Sequence, residues 1–176
     1  MTGRERVIQH LHGNAVDHLP CMPITMRFAS KHAGFPYGDY ARDFRILAAA
    51  QTRVAEDYGF DYVSAISDPA REAADLGAAV IYEPDSPAAM DGSRSLITDR
   101  SQLARLQSRV NVCGERMTDR LQGIAALKEQ AGETKLVEGW IEGPVAEAAD
   151  LRGINALMTD FGDDSEFVTD LFEVYL

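Results

Sequence analysis

The chain has 176 residues, 45% of them hydrophobic and 26% charged, proportions that are typical of a globular domain and exclude a disordered chain. The formal net charge of −11 argues against nucleic acid or an anionic membrane surface as a partner, because either would require a basic face. No apolar run approaches the roughly 20 residues that cross a bilayer. We therefore expect a single domain over residues 1–176 that acts on a small molecule.

Cysteine usage indicates a reducing compartment. Cys21 and Cys113 are the only cysteines, and neither has a second Cys or a His at metal-ligand spacing. The N-terminus has no apolar segment of the kind found in secretory signals. We therefore expect a cytoplasmic protein without disulfide bonds and without a metal site in this chain.

The first part of the chain is predicted to be a helix followed by a strand–helix–strand unit. Thr2 and Glu5 form a capping-box pattern that starts the first helix. Apolar spacing and turn residues then predict a strand at 21–26, a loop at 34–39, a helix at 39–58 ended by Gly59, and a strand from Tyr62 to Ile66. Strands that alternate with helices pair in parallel, so we predict a parallel sheet.

The end of the strand from Tyr62 to Ile66 carries the first candidate catalytic residue. Asp68 and Pro69 follow this strand, and they suit the cap and the first position of a helix that ends at Gly77. A carboxylate is thus expected where a buried parallel strand gives way to a helix, which is where α/β folds bind ligands. The alternative is that Asp68 only caps the helix.

The second part of the chain continues the alternation. We predict a strand at 79–83, a loop or hairpin at 83–95, a short helix after Asp99, a long helix from about Asn111 to Gln130, a strand at 135–141, a helix entered through Glu142-Gly143-Pro144 and ended by Gly153, and a last helix from Asp163 to Leu176. Three or four parallel strands are about half of an eight-stranded barrel. We therefore predict an α/β fold that is the N-terminal half of a (βα)8 TIM barrel, whose strand edges favour a homodimer or other self-association.

Three segments carry a family resemblance. Pro23–Arg27, Tyr62–Asp68 and Gly139–Pro144 are similar to the N-terminal half of the uroporphyrinogen decarboxylase superfamily. That superfamily also contains zinc-dependent methyltransferases that move methyl groups between corrinoid proteins and a thiol such as coenzyme M. The resemblance runs from about residue 4 to residue 176, and it covers only the front of the family's barrel.

The resemblance implies roles for three residues. Asp68 matches the aspartate with which the decarboxylase binds pyrrole N–H groups and stabilises a protonated ring, a task that suits a carboxylate shielded from water. Arg27 and Lys31 match two arginines that bind substrate carboxylates, although Lys lacks the planar fork of Arg. As the alternative, both cations are solvated surface charges.

Glu142 and Asp150 favour the methyltransferase branch. Asp150 stands where the decarboxylase is expected to have a tyrosine, and an acidic group there would repel a multiply carboxylated porphyrinogen. We expect Glu142 and Asp150 to face one substrate pocket, although paired carboxylates at this spacing also occur by chance.

These residues favour corrinoid-dependent methyl transfer to a thiol. Uroporphyrinogen decarboxylation is the alternative, and an inactive truncated fragment is a further one. The zinc ligands of the methyltransferases fall beyond Leu176. The resemblance therefore implies no cofactor within this chain, zinc in a C-terminal half, and a small molecule, a corrinoid or a corrinoid protein as substrate.

Overall fold

The computed structural model describes residues 1–109 and 112–174. Its helices are α1 (Gly3–Leu11), α2 (Met26–Ala33), α3 (Tyr37–Arg42), α4 (Phe44–Tyr58), α5 (Arg71–Leu76), α6 (Leu103–Gln107), α7 (Glu115–Ala131), α8 (Pro144–Arg152), α9 (Ile154–Asp163) and α10 (Ser165–Glu173). The strands are β1 (Tyr62–Ser64), β2 (Val80–Ile81), β3 (Ala89–Met90) and β4 (Leu136–Glu138). Within the described residues, no helix combines the length and the apolar composition needed to span a membrane.

The chain forms two compact units. The first consists of Met1–Asp68, Glu83–Pro87 and Asp119–Trp140, and the second of Pro69–Tyr82, Ala88–Thr118 and Ile141–Leu176. Each unit has its own hydrophobic core. The units are therefore described one at a time.

The first unit is built on a parallel strand pair. β1 is buried at all three positions and pairs in parallel with β4, with Val63 opposite Val137. Leu47 and Val54 lie on the inner face of α4, and Leu127 lies on the inner face of α7; all three are fully buried in the core that also contains Val63. The parallel strands predicted at 62–66 and 135–141 are thus confirmed, although each contains only three residues, and the full burial of β1 accounts for its continuous apolar run.

The start of α1 is fixed by a capping box and by a buried ion pair. Thr2 and Glu5 exchange side-chain and backbone hydrogen bonds as predicted. Arg6 is buried and donates to the carboxylates of Asp17 and Asp61. The Arg6 guanidinium holds the pKa of Asp17 well below its usual range through hydrogen bonding. These contacts attach the N-terminal helix to the residue that precedes β1.

The close approach of α1 to Asp61 makes Gly3 a testable position. A Cβ atom at Gly3 would lie 2.7 Å from the Cα of Asp61, so Gly3→Ala must displace backbone. We expect a loss of about 1–3 kcal/mol in the free energy of unfolding, measured by urea denaturation. The control is Gly162→Ala on α9, where nothing lies within 4 Å of the added methyl group. This control should stabilise by about 0.5–1 kcal/mol, and a loss of the same size in both variants would contradict the steric explanation.

The second unit packs helices around a small hairpin. β2 and β3 pair antiparallel, with Val80 opposite Met90. α8, α9 and α10 each bury a leucine in the core, namely Leu151, Leu157 and Leu171. The segment predicted as a loop or hairpin at 83–95 contains β3, which pairs with β2, and the helix entered through Pro144 is confirmed. The predicted first residue of the long helix, Asn111, and the last residue of the chain, Leu176, lie outside the described residues.

The predicted strand at 21–26 is wrong. Residues 21–25 are irregular, and α2 begins at Met26, so Arg27 and Lys31 lie on a helix rather than at the end of a strand. Pro23 has no N–H for a ladder, and its carbonyl accepts from the hydroxyl of Tyr62. The apolar residues of this segment are consequently not a strand face, and the strand–helix–strand unit predicted over 21–67 lacks its first strand.

The helix predicted over 39–58 is two helices. α3 begins at Tyr37, inside the predicted loop, and ends at Arg42. Asp43 then adopts an extended conformation, and its carboxylate accepts from the N–H of Arg45 as the cap of α4. A cap of this kind competes with a continuous helix, and this explains the break.

The second unit also departs from a parallel arrangement at β2. The strand predicted at 79–83 contains only Val80 and Ile81, and its partner is β3 rather than β1 or β4. Among the described residues, parallel pairing is therefore limited to β1 and β4. Seven residues, 82–88, separate β2 from β3, and they return the chain so that the two strands pair antiparallel.

Candidate functional site

Asp68 ends the first unit at the carboxyl end of β1. Its side chain is 1% exposed, and the hydroxyl of Ser67 donates to its carboxylate at 2.7 Å. The prediction that Asp68 caps a helix at Pro69 is wrong, because α5 begins at Arg71 and its cap position is Ala70. The hydroxyl of the neighbouring Ser67 is therefore one of the groups that hold this carboxylate.

Arg27 and Lys31 border a cavity of the first unit. They lie four residues apart on α2, so both side chains are on the same face of the helix. The cavity, which we call the basic cavity, has a volume of about 470 Å³ and is lined by Arg27, Ser30, Lys31, Gly34, Phe35, Pro36, Tyr37 and Asp85. Two cations against one carboxylate make this cavity attractive to an anion.

Tyr37 links the basic cavity to the segment that carries Asp68. Its ring lines the cavity, and its hydroxyl donates to the backbone carbonyl of Ser67, the residue before Asp68. The sequence analysis does not identify Tyr37 as a functional residue, because it predicts a loop at 34–39. The signal was present in the spacing of Tyr37 and Tyr40, which stand one helical turn apart after a proline.

Glu142 borders a cavity of the second unit, which we call the acidic cavity. Its volume is about 310 Å³, and its lining comprises Glu72, Asp75, Leu76, Arg109, Val112, Cys113, Met117, Ile141, Glu142, Pro144 and Glu147. The carboxylate of Glu72 accepts from the N–H of Glu142 at 3.3 Å. Asp75 accepts from the N–H groups of Arg116 and Met117 and so caps the start of α7. The lining contains four carboxylates and one arginine, so the charge of this cavity is opposite in sign to that of the basic cavity.

Asp150 lies within electrostatic range of Glu142, but it is not among the residues that line the acidic cavity, so the shared pocket expected for the two carboxylates stays a prediction. It is a half-buried residue of α8. Burial raises the pKa of Asp150 to about 6, and the negative charges of Glu142 and Glu72 add to this rise. The structure thus brings Glu142 and Asp150 together in the second unit, whereas Arg27, Lys31 and Asp68 belong to the first.

The raised pKa of Asp150 makes stability depend on pH. The folded chain binds more protons than the unfolded chain between about pH 4 and pH 6, so stability falls as the pH rises through this window. Asp150→Asn is uncharged at every pH, and we expect it to raise the Tm at pH 8 and to change it far less at pH 4. Thermal unfolding at both pH values measures the difference. Asp163→Asn, at the exposed end of α9, is the control for the loss of one charge, and equal behaviour of the two variants would contradict the prediction.

The zinc that the resemblance implies belongs to a C-terminal half of the family's barrel, so the donor groups of this chain bear only on a second site. Among residues 1–109 and 112–174, no three His, Cys, Asp or Glu side chains are arranged to hold a metal ion. Cys21 and Cys113 are both free and exposed. The described residues therefore do not offer a ligand set for zinc.

Comparisons with known proteins agree on a family and a fold. Residues 2–176 match the family model described as "Uroporphyrinogen decarboxylase (URO-D)". Among solved structures, a methyltransferase from Methanosarcina mazei superposes with a TM-score of 0.82 at 16% sequence identity, over 99% of this chain and 52% of that one. The chain thus spans about half the length of this structure, and its fold is the corresponding part of a TIM barrel. None of the curated proteins matches the sequence.

Proposed function

Because this chain belongs to the uroporphyrinogen decarboxylase family, we propose that it contributes to an enzyme that transfers a methyl group from a corrinoid to a thiol. The family contains both decarboxylases and methyltransferases, so the choice between them depends on the residues of this chain. The similarity in fold to a methyltransferase supports the second branch.

The basic cavity is the observation that carries the proposal. Arg27 and Lys31 supply two positive charges at one side of a cavity of about 470 Å³. Two cations match the single sulfonate or carboxylate group of a small thiol, whereas a porphyrinogen with many carboxylates would need more of them. We assign Arg27 and Lys31 to the anionic end of the acceptor thiol.

Asp68 is the proposed catalytic residue. In the reaction, the acceptor thiol would lose its proton to solvent, and its sulfur would form a carbon–sulfur bond as the cobalt–carbon bond of the substrate corrinoid breaks, with the bonding electron pair left on the cobalt. Asp68 would accept a hydrogen bond from the substrate and hold the reacting atom in line. A carboxylate that is 1% exposed is little screened by water, so its contribution would be large.

Decarboxylation is the second candidate. It would use Asp68 to stabilise a ring cation, and Arg27 and Lys31 as carboxylate clamps. The burial of Asp68 favours it, since a cation gains most from a shielded anion. Asp150 disfavours it, because this residue stands where the decarboxylase is expected to have a tyrosine, and an acidic group there would repel a polyanion. A chain without activity of its own is the third candidate.

The proposal includes the setting in which the enzyme works. The substrate is a small molecule or a corrinoid protein, and the net charge of −11 disfavours nucleic acid. Free Cys21 and Cys113 suit the reducing cytoplasm. Pairing of two copies through strand edges is proposed for the chain by itself.

One assay separates the candidates. The intact natural protein is incubated with methylcobalamin and coenzyme M, and in parallel with uroporphyrinogen. We expect loss of the methylcobalamin absorbance together with an equal amount of methylated thiol. Release of CO₂ from uroporphyrinogen instead would establish decarboxylation. Turnover of neither substrate pair would overturn the proposed function.

A further inference from the structure

The segment that joins β1 to Asp68 has no regular secondary structure, yet each of its last three backbone carbonyls accepts a hydrogen bond from a buried side chain. Tyr40 donates to the carbonyl of Ile66 at 2.7 Å, and Tyr37 donates to the carbonyl of Ser67. Arg120 donates to the carbonyl of Asp68 at 3.5 Å. Tyr37 and Arg120 are each 2% exposed, and Tyr40 is fully buried.

The N–H groups at the start of the segment are held as well. The N–H of Ala65 donates to the carbonyl of Glu138 on β4, and the N–H of Ile66 donates to the hydroxyl of Ser64. Arg120 also donates to the carbonyl of Trp140 at 2.8 Å, so one guanidinium binds the chain beyond both parallel strands. Hydrogen bonds to these five backbone groups of residues 65–68 restrict the φ and ψ angles of the irregular segment.

The hydroxyl of Tyr40 is itself part of a series of hydrogen bonds between polar side chains. The side-chain NH₂ group of Gln51 on α4 donates to the hydroxyl of Tyr40 at 2.7 Å, and the hydroxyl of Thr25 donates to the side-chain oxygen Oε1 of Gln51 at 3.4 Å. Gln51 is 2% exposed. Hydrogen bonds in series within a low dielectric polarise one another, so the hydroxyl of Tyr40 is a stronger donor to Ile66 than an isolated phenol.

We propose that Tyr37, Tyr40 and Arg120 are positioning residues that fix Asp68 for the reaction. The inference rests on the proposed function, in which Asp68 contacts the substrate. None of the three needs to touch the reacting atoms, because each acts through a backbone carbonyl of residues 66–68. Displacement of a catalytic group by about 1 Å can cost a large factor in rate, and the three tethers prevent such displacement.

Tyr40→Phe tests the inference, and Tyr62→Phe is its matched control. Both variants remove one buried hydroxyl that donates to a backbone carbonyl, but Tyr62 donates to Pro23 and not to the segment before Asp68. We expect Tyr40→Phe to lower kcat about tenfold with KM within twofold of the wild type. We expect Tyr62→Phe to leave both constants unchanged, although each variant lowers the Tm.

Four outcomes decide the matter. A fall in kcat confined to Tyr40→Phe, with faster amide hydrogen exchange over residues 65–68, supports positioning. Equal falls in kcat for both variants, in step with equal losses in Tm, overturn it as a general stability effect. Full activity of Tyr40→Phe beside an inactive Asp68→Asn overturns the positioning role and leaves the proposed function intact. Full activity of Asp68→Asn overturns both.

Discussion

Replacement of Asp68 by Asn should lower kcat by about 10²–10³-fold and leave the Tm nearly unchanged. Asn has the same size as Asp, and its oxygen can still accept from the hydroxyl of Ser67, so the fold keeps this contact. The variant removes the negative charge that the proposed mechanism requires at this position. Steady-state kinetics of the intact natural protein with methylcobalamin and coenzyme M, combined with thermal unfolding, provide the measurement.

Asp39→Asn is the control for this experiment. Asp39 lies on α3 in the same unit, and its side chain is about half exposed. This variant removes the same charge from the surface, so kcat should stay within twofold of the wild type. Turnover of Asp68→Asn within threefold of the wild type would remove Asp68 from the mechanism, and the proposed function would then lose its catalytic group.

Replacement of Leu127 by Ala should cost about 2–5 kcal/mol in the free energy of unfolding. Leu127 is fully buried on α7 and packs in the core of the first unit, where truncation leaves a cavity between α7, α4 and β1. The measurement is urea denaturation of the intact natural protein, with the slope of the transition compared between variants to check that the unfolded states are alike.

Leu121→Ala on the same helix is the matched control. Leu121 is 53% exposed, so its truncation removes the same atoms without creating a buried cavity. Its effect should remain within about 0.5 kcal/mol, as for other surface substitutions. If Leu127→Ala and Leu121→Ala have equal effects, the packing described for α7 is incorrect.

The two cavities divide the charges of the site residues by unit. The basic cavity belongs to the first unit and carries Arg27 and Lys31, and the acidic cavity belongs to the second and carries Glu142. The positive charges of the basic cavity suit an anionic group, and this is the feature on which the proposed thiol acceptor rests.

Local chemistry explains which elements were predictable. The capping box of Thr2 and Glu5, the end of α4 at Gly59 and the entry into α8 at Pro144 each depend on residues within one turn of the chain. β1 was recognisable because a strand that is buried on both faces needs a continuous apolar run. Family membership rested on motifs at the ends of such elements.

Long-range contacts explain what was missed. The segment at 21–26 has the composition of a strand, but its backbone pairs with Asp61 at one residue only, and Pro23 prevents a ladder. Asp68 has the sequence context of a helix cap, but α5 begins only at Arg71, and the hydroxyl of Ser67 donates to the carboxylate of Asp68. Periodicity and propensity contain no information about partners that are distant in the chain.

The sequence alone determined the α/β class, the family, and the placement of a carboxylate at the carboxyl end of β1, because capping, turn chemistry and the apolar run of a buried strand act over a few residues. The tertiary structure decided that Arg27 and Lys31 share a helix face and a cavity, that Asp150 has a raised pKa, and that Tyr37, Tyr40 and Arg120 hold the chain before Asp68. These features depend on burial, on the clustering of carboxylates, or on hydrogen bonds between residues 26 or more positions apart. Only the folded chain brings such groups together.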